Sequence, residues 1–433
     1  MNILLIGSGG REHALAKKLS ASPQVTLFAA PGNPGIFQFA TQARINPTHH
    51  AEVIEFCKTA SIDMVVIGPE APLAAGLADD LRVHEIAVFG PSREAARLES
   101  SKAFAKDFML RHGIPTAQYK VFNEHQHQEA SDYVAAHTLP VVIKADGLAA
   151  GKGVTVAEIH RVALEALDAA FDGKYGTAGR SIVIEEFMQG EEASVFAICD
   201  GERFLTLATA QDHKRIGDGD TGDNTGGMGA YAPAPIVTQD ILRKVDELII
   251  MPTLQGMKAE GKPFVGCLYV GLMIDPSGSA RVVEFNARFG DPETQVILAI
   301  LDGDLARLLH SAAIGKLDTS TVNNVANGVA CCVVLAAGGY PGETRKGDEI
   351  TGIEDAEGAS DGSVSVFHAG TALHHESDGA ASLRTNGGRV LGITASAETL
   401  TEAIQRCYKA VKLVHFRGRT YRTDIGAKGI RTG

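Results

Sequence analysis

The sequence lacks the features that direct a protein to a membrane or out of the cell. No apolar run reaches the length of a membrane span, and the opening MNILLIGSGG shows no basic region followed by a long apolar stretch. The six cysteines include no C-x-x-C pair, and the adjacent Cys331 and Cys332 have a poor geometry for a disulfide. These absences predict a reduced, cytoplasmic protein with no membrane partner.

Positive charge is also scarce. Lysine and arginine number 40 against 52 acidic residues, which gives a formal net charge of −12 and argues against nucleic acid as the main partner. The 433 residues suit two to four domains, and a 45% hydrophobic content predicts packed globular structure. Many of the 48 glycines fall in clusters, which indicates places where the backbone approaches a ligand.

The first hundred residues alternate short apolar runs with amphipathic stretches, as in a parallel α/β sheet. The middle of the chain instead shows pairs of neighbouring strands, which predicts an antiparallel centre in a separate domain. A third region begins near residue 324 and includes a strand at 329–336 and a helix with a continuous apolar stripe at 400–414.

The segment LLIGSGGREHAL lies at the first strand-to-helix turn. Phosphate or substrate binding at the helix N-terminus is the favoured interpretation, with a plain tight turn as the alternative. A dinucleotide site is disfavoured, since Glu12 occupies the last glycine position of the fingerprint. The second strand also ends at Ala30 and Pro31, with no carboxylate for ribose.

A second glycine-rich segment, VVIKADGLAAGKGVTV, fails the P-loop spacing and is followed by a strand. We interpret it as a hairpin that closes over phosphates, with Lys144 directing a point charge at them. The alternative is a surface hairpin with solvated lysines.

The segment VVEFNARFGDPE predicts a strand on which Glu284, Asn286 and Arg288 share one face. Two oxygen ligands suit Mg²⁺, and Arg288 could neutralise a phosphoryl group in transfer. The alternative is an edge strand with a surface salt bridge. Upstream, Glu185 and Glu186 end another predicted strand, where they could bind an adenine edge or simply be solvated.

Residues 211–231 contain almost no apolar side chain. A segment of this length is either functional or disordered. We favour a loop that grips a substrate and orders on binding.

Taken together these segments resemble the ATP-grasp superfamily and, more narrowly, the phosphoribosylamine–glycine ligases. The resemblance runs through GSGGREHAL, GPEAPL, SKAFAKDFM, VIKADGLAAGKGV, IEEFMQGEEAS, QDHKRIGDGDTGDNTGGMGAY, EFNARFGDPETQ, AAGGYPG and FHAGT, in that order. It implies α/β and α+β domains: a parallel, Rossmann-like N-terminal domain at 1–102, an ATP-grasp domain at 103–323 and a mixed α/β C-terminal domain at 324–433. A mobile lid would span roughly residues 122–185.

The resemblance also implies a reaction. ATP would drive the ligation of glycine to 5-phosphoribosylamine through a glycyl phosphate, in purine biosynthesis, with Mg²⁺ or Mn²⁺ and in a monomer or homodimer. A related carboxylase or formate-dependent transformylase, or a nucleotide sensor without turnover, is the competing possibility.

Site roles carry over to matching positions. The nucleotide would contact Lys102, Lys144, Gly151, Lys152, Gly153, Glu185, Glu186, Phe187 and Glu192. The metal ligands would be Glu284 and Asn286; Gly271 stands where relatives have another carboxylate, so the number of metals stays open. The substrates would contact Gly9, Gly10, Arg11, Pro69, Glu70, Asp212, Lys214, Asn224, Arg288, Asp291, Pro292 and Glu293. Arg288, Lys144 and Asp291 are the expected catalytic residues.

Overall fold

The computed structural model describes residues 1–148, 153–323, 326–375 and 381–432. Within these ranges the chain forms two five-stranded and two four-stranded sheets, with three two-stranded ribbons. The fold is therefore α/β with antiparallel additions, as predicted.

The N-terminal region forms a parallel sheet of strand order β3-β2-β1-β4-β5. Its interior contains the apolar runs of the sequence, and its helices cover them. The elements are β1 Asn2–Gly7, α1 Gly10–Ser20, β2 Thr26–Pro31, β3 Thr41–Gln42, α2 His50–Thr59, β4 Met64–Ile67, α3 Glu70–Ala75, α4 Leu77–Val83, β5 Ala87–Phe89 and α5 Arg97–Ser100.

The next region forms an antiparallel sheet of order β6-β9-β7-β8 with a hydrophobic core of its own. That core contains Phe122, Val134, Leu167 and Ile184. The elements are α6 Lys102–Arg111, β6 Tyr119–Asn123, α7 His127–Ala136, β7 Val141–Ala145, β8 Val154–Ala157, α8 His160–Ala169 and β9 Ser181–Glu186.

The third region contains the antiparallel sheet β11-β10-β16-β17, in which β17 is an edge strand. Residues 211–231 form short strands here rather than an unstructured loop. The elements are β10 Glu191–Asp200, β11 Phe204–Thr206, β12 Gln211–Asp212, β13 Arg215–Gly217, β14 Thr221–Asn224, β15 Gly229–Ala232, α9 Gln239–Val245, α10 Met251–Ala259, β16 Val265–Ile274, β17 Ala280–Asn286, α11 Glu293–Ile300, β18 Asp302–Gly303, α12 Leu305–Ala313 and β19 Val322–Asn323.

The last region shares a sheet with the third, in the order β12-β15-β20-β24-β21. This sheet crosses the predicted boundary at residues 323 and 324, and the division into domains stays a prediction. The elements are β20 Val329–Ala336, α13 Ile353–Gly358, β21 Val364–His368, β22 Thr371–His375, β23 Ala381–Thr385, β24 Arg389–Ala397, α14 Leu400–Val411 and α15 Ala427–Thr432. Helix α14 ends three residues before its predicted end, although Val414 is still buried.

None of the helices in the described ranges is long and apolar enough to cross a bilayer. The six cysteines are all free and buried.

Candidate active site

A cleft of about 1620 Å³ lies where these sheets meet. Strands β1 and β4 are parallel neighbours, with Ile6 beside Ile67, so the loops that follow them lie together at one edge of the sheet. These loops form one side of the cleft, and the ends of β7, β9 and β17 contribute to its other walls.

Two lysines and one glutamate form a buried ion-pair triad in the cleft. Glu185 is 2% exposed, and its Oε2 lies 2.9 Å from Lys144 Nζ and 3.0 Å from Lys106 Nζ. Burial lowers the pKa of Lys106 to about 8, although Glu185 opposes this shift. The other oxygen, Glu185 Oε1, is buried and has no hydrogen-bond partner among the residues that the structure describes, which makes it a candidate acceptor for a ligand donor. Lys144 is thus a paired group, and not a solvated surface lysine.

The predicted adenine-binding residues follow at the end of β9. The backbone N–H of Glu186 donates to the Gln118 carbonyl at 3.0 Å, so only its carbonyl remains for a nucleotide. The Glu186 side chain pairs with Arg281 at 2.7 Å and is not among the residues that line the cleft. Phe187 and Glu192 do line it, and Glu192 lies 2.6 Å from Lys214 Nζ.

Glu284 and Asn286 lie two residues apart on β17, and both line the cleft. Burial opposes ionisation of Glu284, but Lys214, Lys144 and Lys102 outweigh burial and lower its pKa. The described residues contain no cluster of three or more histidine, cysteine or acidic side chains that could hold a metal alone. A carboxylate and an amide oxygen do suit Mg²⁺ that keeps phosphate oxygens as further ligands.

Arg288 lies in the cleft between two carboxylates. Its Nη2 is 2.9 Å from Glu99 Oε1, and its Nε is 3.4 Å from Glu70 Oε2. Burial opposes the charge, but Glu99 and Glu70 outweigh burial and raise the pKa of Arg288. Two ion pairs therefore hold this cation in the cleft with its side chain only 19% exposed, although β17 is an edge strand, as the alternative expected.

Three further acidic groups face the same space. Burial raises the pKa of Asp212 to about 7, with Lys214 opposing the shift and Glu293 adding to it. Burial likewise raises the pKa of Glu293. Asp291 behaves differently: burial opposes its ionisation, but Arg389, at 3.4 Å, and Arg11 lower its pKa. The surroundings of these carboxyl groups therefore shift their pKa values in opposite directions.

The N-terminal glycine turn is occupied by acidic side chains. The N–H of Gly9 donates to Glu12 Oε2 at 2.6 Å, and Arg11 Nε donates to Glu12 Oε1 at 2.5 Å. A Cβ built on Gly9 would lie 3.4 Å from the Asp291 carboxylate, so Asp291 stands directly at the start of α1. The N–H of Gly9 is therefore already paired and is not free for a phosphate.

The cleft brings together residues that are far apart in the sequence. The predicted residues in its wall are Gly9, Arg11, Pro69, Glu70, Lys102, Lys144, Gly153, Glu185, Phe187, Glu192, Asp212, Lys214, Asn224, Glu284, Asn286, Arg288, Asp291 and Glu293. Gly10, Glu186 and Pro292 are adjacent to this wall in sequence but do not contribute to it as described. Gly151 and Lys152 lie outside the described residues.

Sequence reasoning missed Glu99, Arg389 and Tyr269, which also line the cleft. Arg389 donates to the carbonyls of Gly226 and Asp291 at 2.5 and 2.6 Å, so it connects three segments. Tyr269 Oη lies 2.9 Å from Ser194 Oγ. The turn glycines before Arg389 were the available signal. No spacing rule connects any of these residues to the site.

Sequence profiles of one family account for most of the chain. The phosphoribosylglycinamide synthetase N domain matches residues 1–99, its ATP-grasp (A) domain matches 100–294 and its C domain matches 330–428. The chain belongs to the phosphoribosylglycinamide synthetase family.

Relatives of this family member match it over nearly their full length. A phosphoribosylamine–glycine ligase of Mesorhizobium japonicum is 51% identical over 431 residues, with 99% of each chain covered. One from Neisseria meningitidis serogroup A is 50% identical over 432 residues, with 99% of this chain and 100% of the relative covered.

Solved structures agree with the fold. The crystal structure of phosphoribosylamine–glycine ligase from Thermotoga maritima has a TM-score of 0.82 and 35% identity, covering 98% of this chain and 100% of that one. The biotin carboxylase domain of a Hydrogenobacter thermophilus 2-oxoglutarate carboxylase, solved with MgADP, has a TM-score of 0.72 at 16% identity. The match covers 97% of this chain and 91% of the carboxylase chain, and at this identity it shows only that the two proteins share a fold.

Proposed function

We infer that the protein joins glycine to 5-phosphoribosylamine at the expense of ATP, giving glycinamide ribonucleotide, ADP and phosphate in purine biosynthesis. The observation that carries this inference is the single cleft, which unites a cationic wall, an oxygen-ligand pair and the N-terminal turn. Full-length relatives that carry the ligase name support it.

ATP occupies the side of the cleft formed by β7, β8 and β9. Lys144 and Lys102 contact its phosphates, since both line this wall and carry charge close to Glu284. Glu185 Oε1, the buried acceptor with no partner among the described residues, accepts a hydrogen bond from the adenine amino group. The backbone carbonyl of Glu186 and the backbone of Phe187 complete this contact, and Glu192 binds the ribose.

Glu284 and Asn286 would hold Mg²⁺ or Mn²⁺. The fit rests on the donor set, because two protein oxygens leave the remaining coordination positions to phosphate and water. When bound, the metal supplies charge neutralisation at the phosphates. Lys214 Nζ lies 3.9 Å from Glu284 Oε1, so this carboxylate already has a cationic neighbour.

The substrates occupy the side of the cleft formed by the loops after β1 and β4. A glycine carboxylate oxygen attacks the γ-phosphorus and the bond to ADP breaks, which leaves glycyl phosphate. The amine of phosphoribosylamine then attacks the acyl carbon, loses a proton, and phosphate departs. Arg288 stabilises the transferring phosphoryl group, and Asp291 binds the incoming amine.

Glycyl phosphate must be protected from water. The sheet β6-β9-β7-β8 has its own core and covers the nucleotide side, so it can close as a unit over the bound substrates.

The test is ADP release by the purified protein with Mg-ATP, glycine and freshly generated phosphoribosylamine, omitting each substrate in turn. We expect ADP to form only when both glycine and the ribosylamine are present. ATP binding without turnover under these conditions would contradict the proposal and favour a sensor. Turnover with bicarbonate or formate in place of glycine would favour a related carboxylase or transformylase.

A further inference from the structure

The polar hairpin, residues 215–224, is fixed by a distant part of the chain. It consists of β13 and β14, which pair only with each other within the described residues. Arg215, Asp220 and Asn224 of the hairpin line the cleft, and Lys214 lies directly before it. An isolated two-stranded ribbon has little stability alone, so its orientation must depend on other contacts.

Those contacts come from the C-terminal segment, residues 422–428. Arg422 is fully buried at the side chain, and its Nη1 donates to Asp220 Oδ1 at 2.8 Å and to the Arg215 carbonyl at 3.1 Å. Its Nε and Nη2 donate to the two oxygens of Asp424, each at 2.7 Å. A buried guanidinium is tolerated only when it is paired in this way, so the geometry of Arg422 specifies where the hairpin lies.

A second set of contacts surrounds this arginine. The N–H of Thr423 donates to Asp218 Oδ1 at 2.8 Å, and the Thr423 hydroxyl donates to the same carboxylate. The N–H of Gly219 donates in the other direction, to Asp424 Oδ2, at 2.8 Å. Lys428 Nζ lies 2.5 Å from Asp220 Oδ2. The hairpin thus contributes the carboxylates of Asp218 and Asp220, and the C-terminal segment contributes that of Asp424. These bonds hold the turn of the hairpin against the C-terminal segment.

The hairpin in turn places a cation at the centre of the cleft. Lys214 Nζ lies 2.6 Å from Glu192 and 3.9 Å from Glu284, between the nucleotide side and the oxygen-ligand pair. Burial opposes its charge, but Glu192, Asp212 and Glu284 raise its pKa well above the usual value. The carbonyl of Lys214 accepts the backbone N–H of Thr225 at 2.8 Å, which ties Lys214 to the base of the hairpin beside Asn224.

We propose that the C-terminal segment 422–428 is a positioning element of the active site, which sets the hairpin so that Lys214 and Asn224 meet the glycine and ribosylamine substrates. This inference rests on the proposed function. Lys428 of this segment lines the cleft itself, but Arg422 and Asp218 lie outside the cleft wall, so these two residues act only through the hairpin. Loss of Arg422 or Asp218 raises the KM for glycine or ribosylamine more than the KM for ATP, because most of the ATP wall belongs to β7, β8 and β9 and only Glu192 of that side pairs with Lys214.

Two substitutions test the proposal from opposite sides. Asp218→Ala removes the acceptor of two hydrogen bonds from an exposed hairpin position, and Arg422→Lys keeps the buried charge but loses the bidentate geometry. Asp240→Ala is the matched control. Asp240 Oδ1 lies 2.6 Å from Arg243 Nη2 in an exposed ion pair, and neither residue lines the cleft. Melting temperature and ATP binding establish that each variant is folded.

The assay measures ADP release. The KM for glycine and for ribosylamine is determined in each variant and compared with the KM for ATP. We expect Asp218→Ala and Arg422→Lys to raise the KM for glycine or ribosylamine at least fivefold, with the KM for ATP within twofold and Asp240→Ala unchanged. Substrate KM values within twofold in folded variants, or equal increases for ATP and the other substrates, would overturn the proposal. Absence of glycine-dependent turnover in the unmodified protein would contradict the proposed function. Normal turnover in the unmodified protein with unchanged KM values in the variants would contradict only the positioning role.

Discussion

At the scale of single residues, the candidate site depends on charges that are partly buried and closely paired. Glu284 illustrates this: it lies near Lys214, Lys144 and Lys102, which together keep it ionised despite burial. Its side chain is 35% exposed, so it faces the cleft and is not a core residue. A carboxylate kept ionised by three lysines at a cleft wall is a candidate for a chemical role, which the following substitution tests.

Glu284→Gln therefore tests the oxygen-ligand pair. We expect kcat to fall more than tenfold, equivalent to about 1.4 kcal/mol of transition-state stabilisation. The melting temperature should change little, because the amide keeps the shape of the side chain. Steady-state kinetics measures the first and thermal unfolding the second. Glu247→Gln, at an exposed helical position outside the cleft wall, is the control. Activity within tenfold of the unmodified protein would mean that the metal assignment is wrong.

At the scale of elements, the sheet β6-β9-β7-β8 is set apart by its core. Leu167 of α8 is fully buried in a cluster formed only by residues between 122 and 184. Leu15 of α1 is equally buried, but in the core shared by the N-terminal sheet and α11 and α12. Separate cores allow the two units to open independently.

Leu167→Ala should therefore destabilise the lid locally. Removing a fully buried leucine typically costs about 2–5 kcal/mol. Hydrogen–deuterium exchange should quicken in residues 119–186 and stay unchanged in β1 and β4. Leu15→Ala is the reciprocal control. It should quicken exchange in the N-terminal sheet and leave the exchange rates of residues 119–186 unchanged. Faster exchange in both regions for either variant would show that the lid does not open independently.

At the scale of the whole molecule, the N-terminal and C-terminal regions meet at a pair of neutral histidines. His13 of α1 is 3% exposed, and its Nδ1 accepts a hydrogen bond from the backbone N–H of His368 at 2.8 Å. Burial, then His368 and Lys17, lower the pKa of His13 to about 3. Burial lowers the pKa of His368 to about 4. Both rings are therefore uncharged in the fold at neutral pH.

This junction should make stability depend on pH. A histidine with a lowered folded pKa contributes stability that is present above pH 6.5 and is lost as pH falls towards its folded pKa. Each such ring contributes a slope of about 1.4 kcal/mol per pH unit below 6.5. His13→Gln should lower the free energy of unfolding at pH 7 by about 1 kcal/mol, through a weaker hydrogen bond. It should also lose less stability between pH 6.5 and 4.5. Urea unfolding across this range measures both effects, and parallel curves for the two proteins would contradict the expectation.

Local patterns were enough for much of the fold. The apolar runs near residues 3, 64 and 87 became β1, β4 and β5, because a strand buried on both faces needs no partner information to be recognised. The alternation placed Glu284 and Asn286 in one cleft, because side chains two apart in a strand share a face. The predicted strand was too long at this end: β17 ends at Asn286, and Arg288 reaches the cleft from the segment after it. Arg389 and Glu99 could not be found in this way. Arg389 lies 98 residues from its partner Asp291, and Glu99 lies on a helix that carries no motif.

The sequence by itself determined the main buried strands, the family resemblance and the chemical types of residue available to the cleft. Only the tertiary structure decided which charges are paired. It joined Lys144 to Lys106 through Glu185, Arg288 to Glu99, and Arg422 to the hairpin at Asp220. The physical reason is that strand and helix periodicity are local properties of the chain, whereas burial and ion pairing depend on distances between segments that the chain brings together only when it folds.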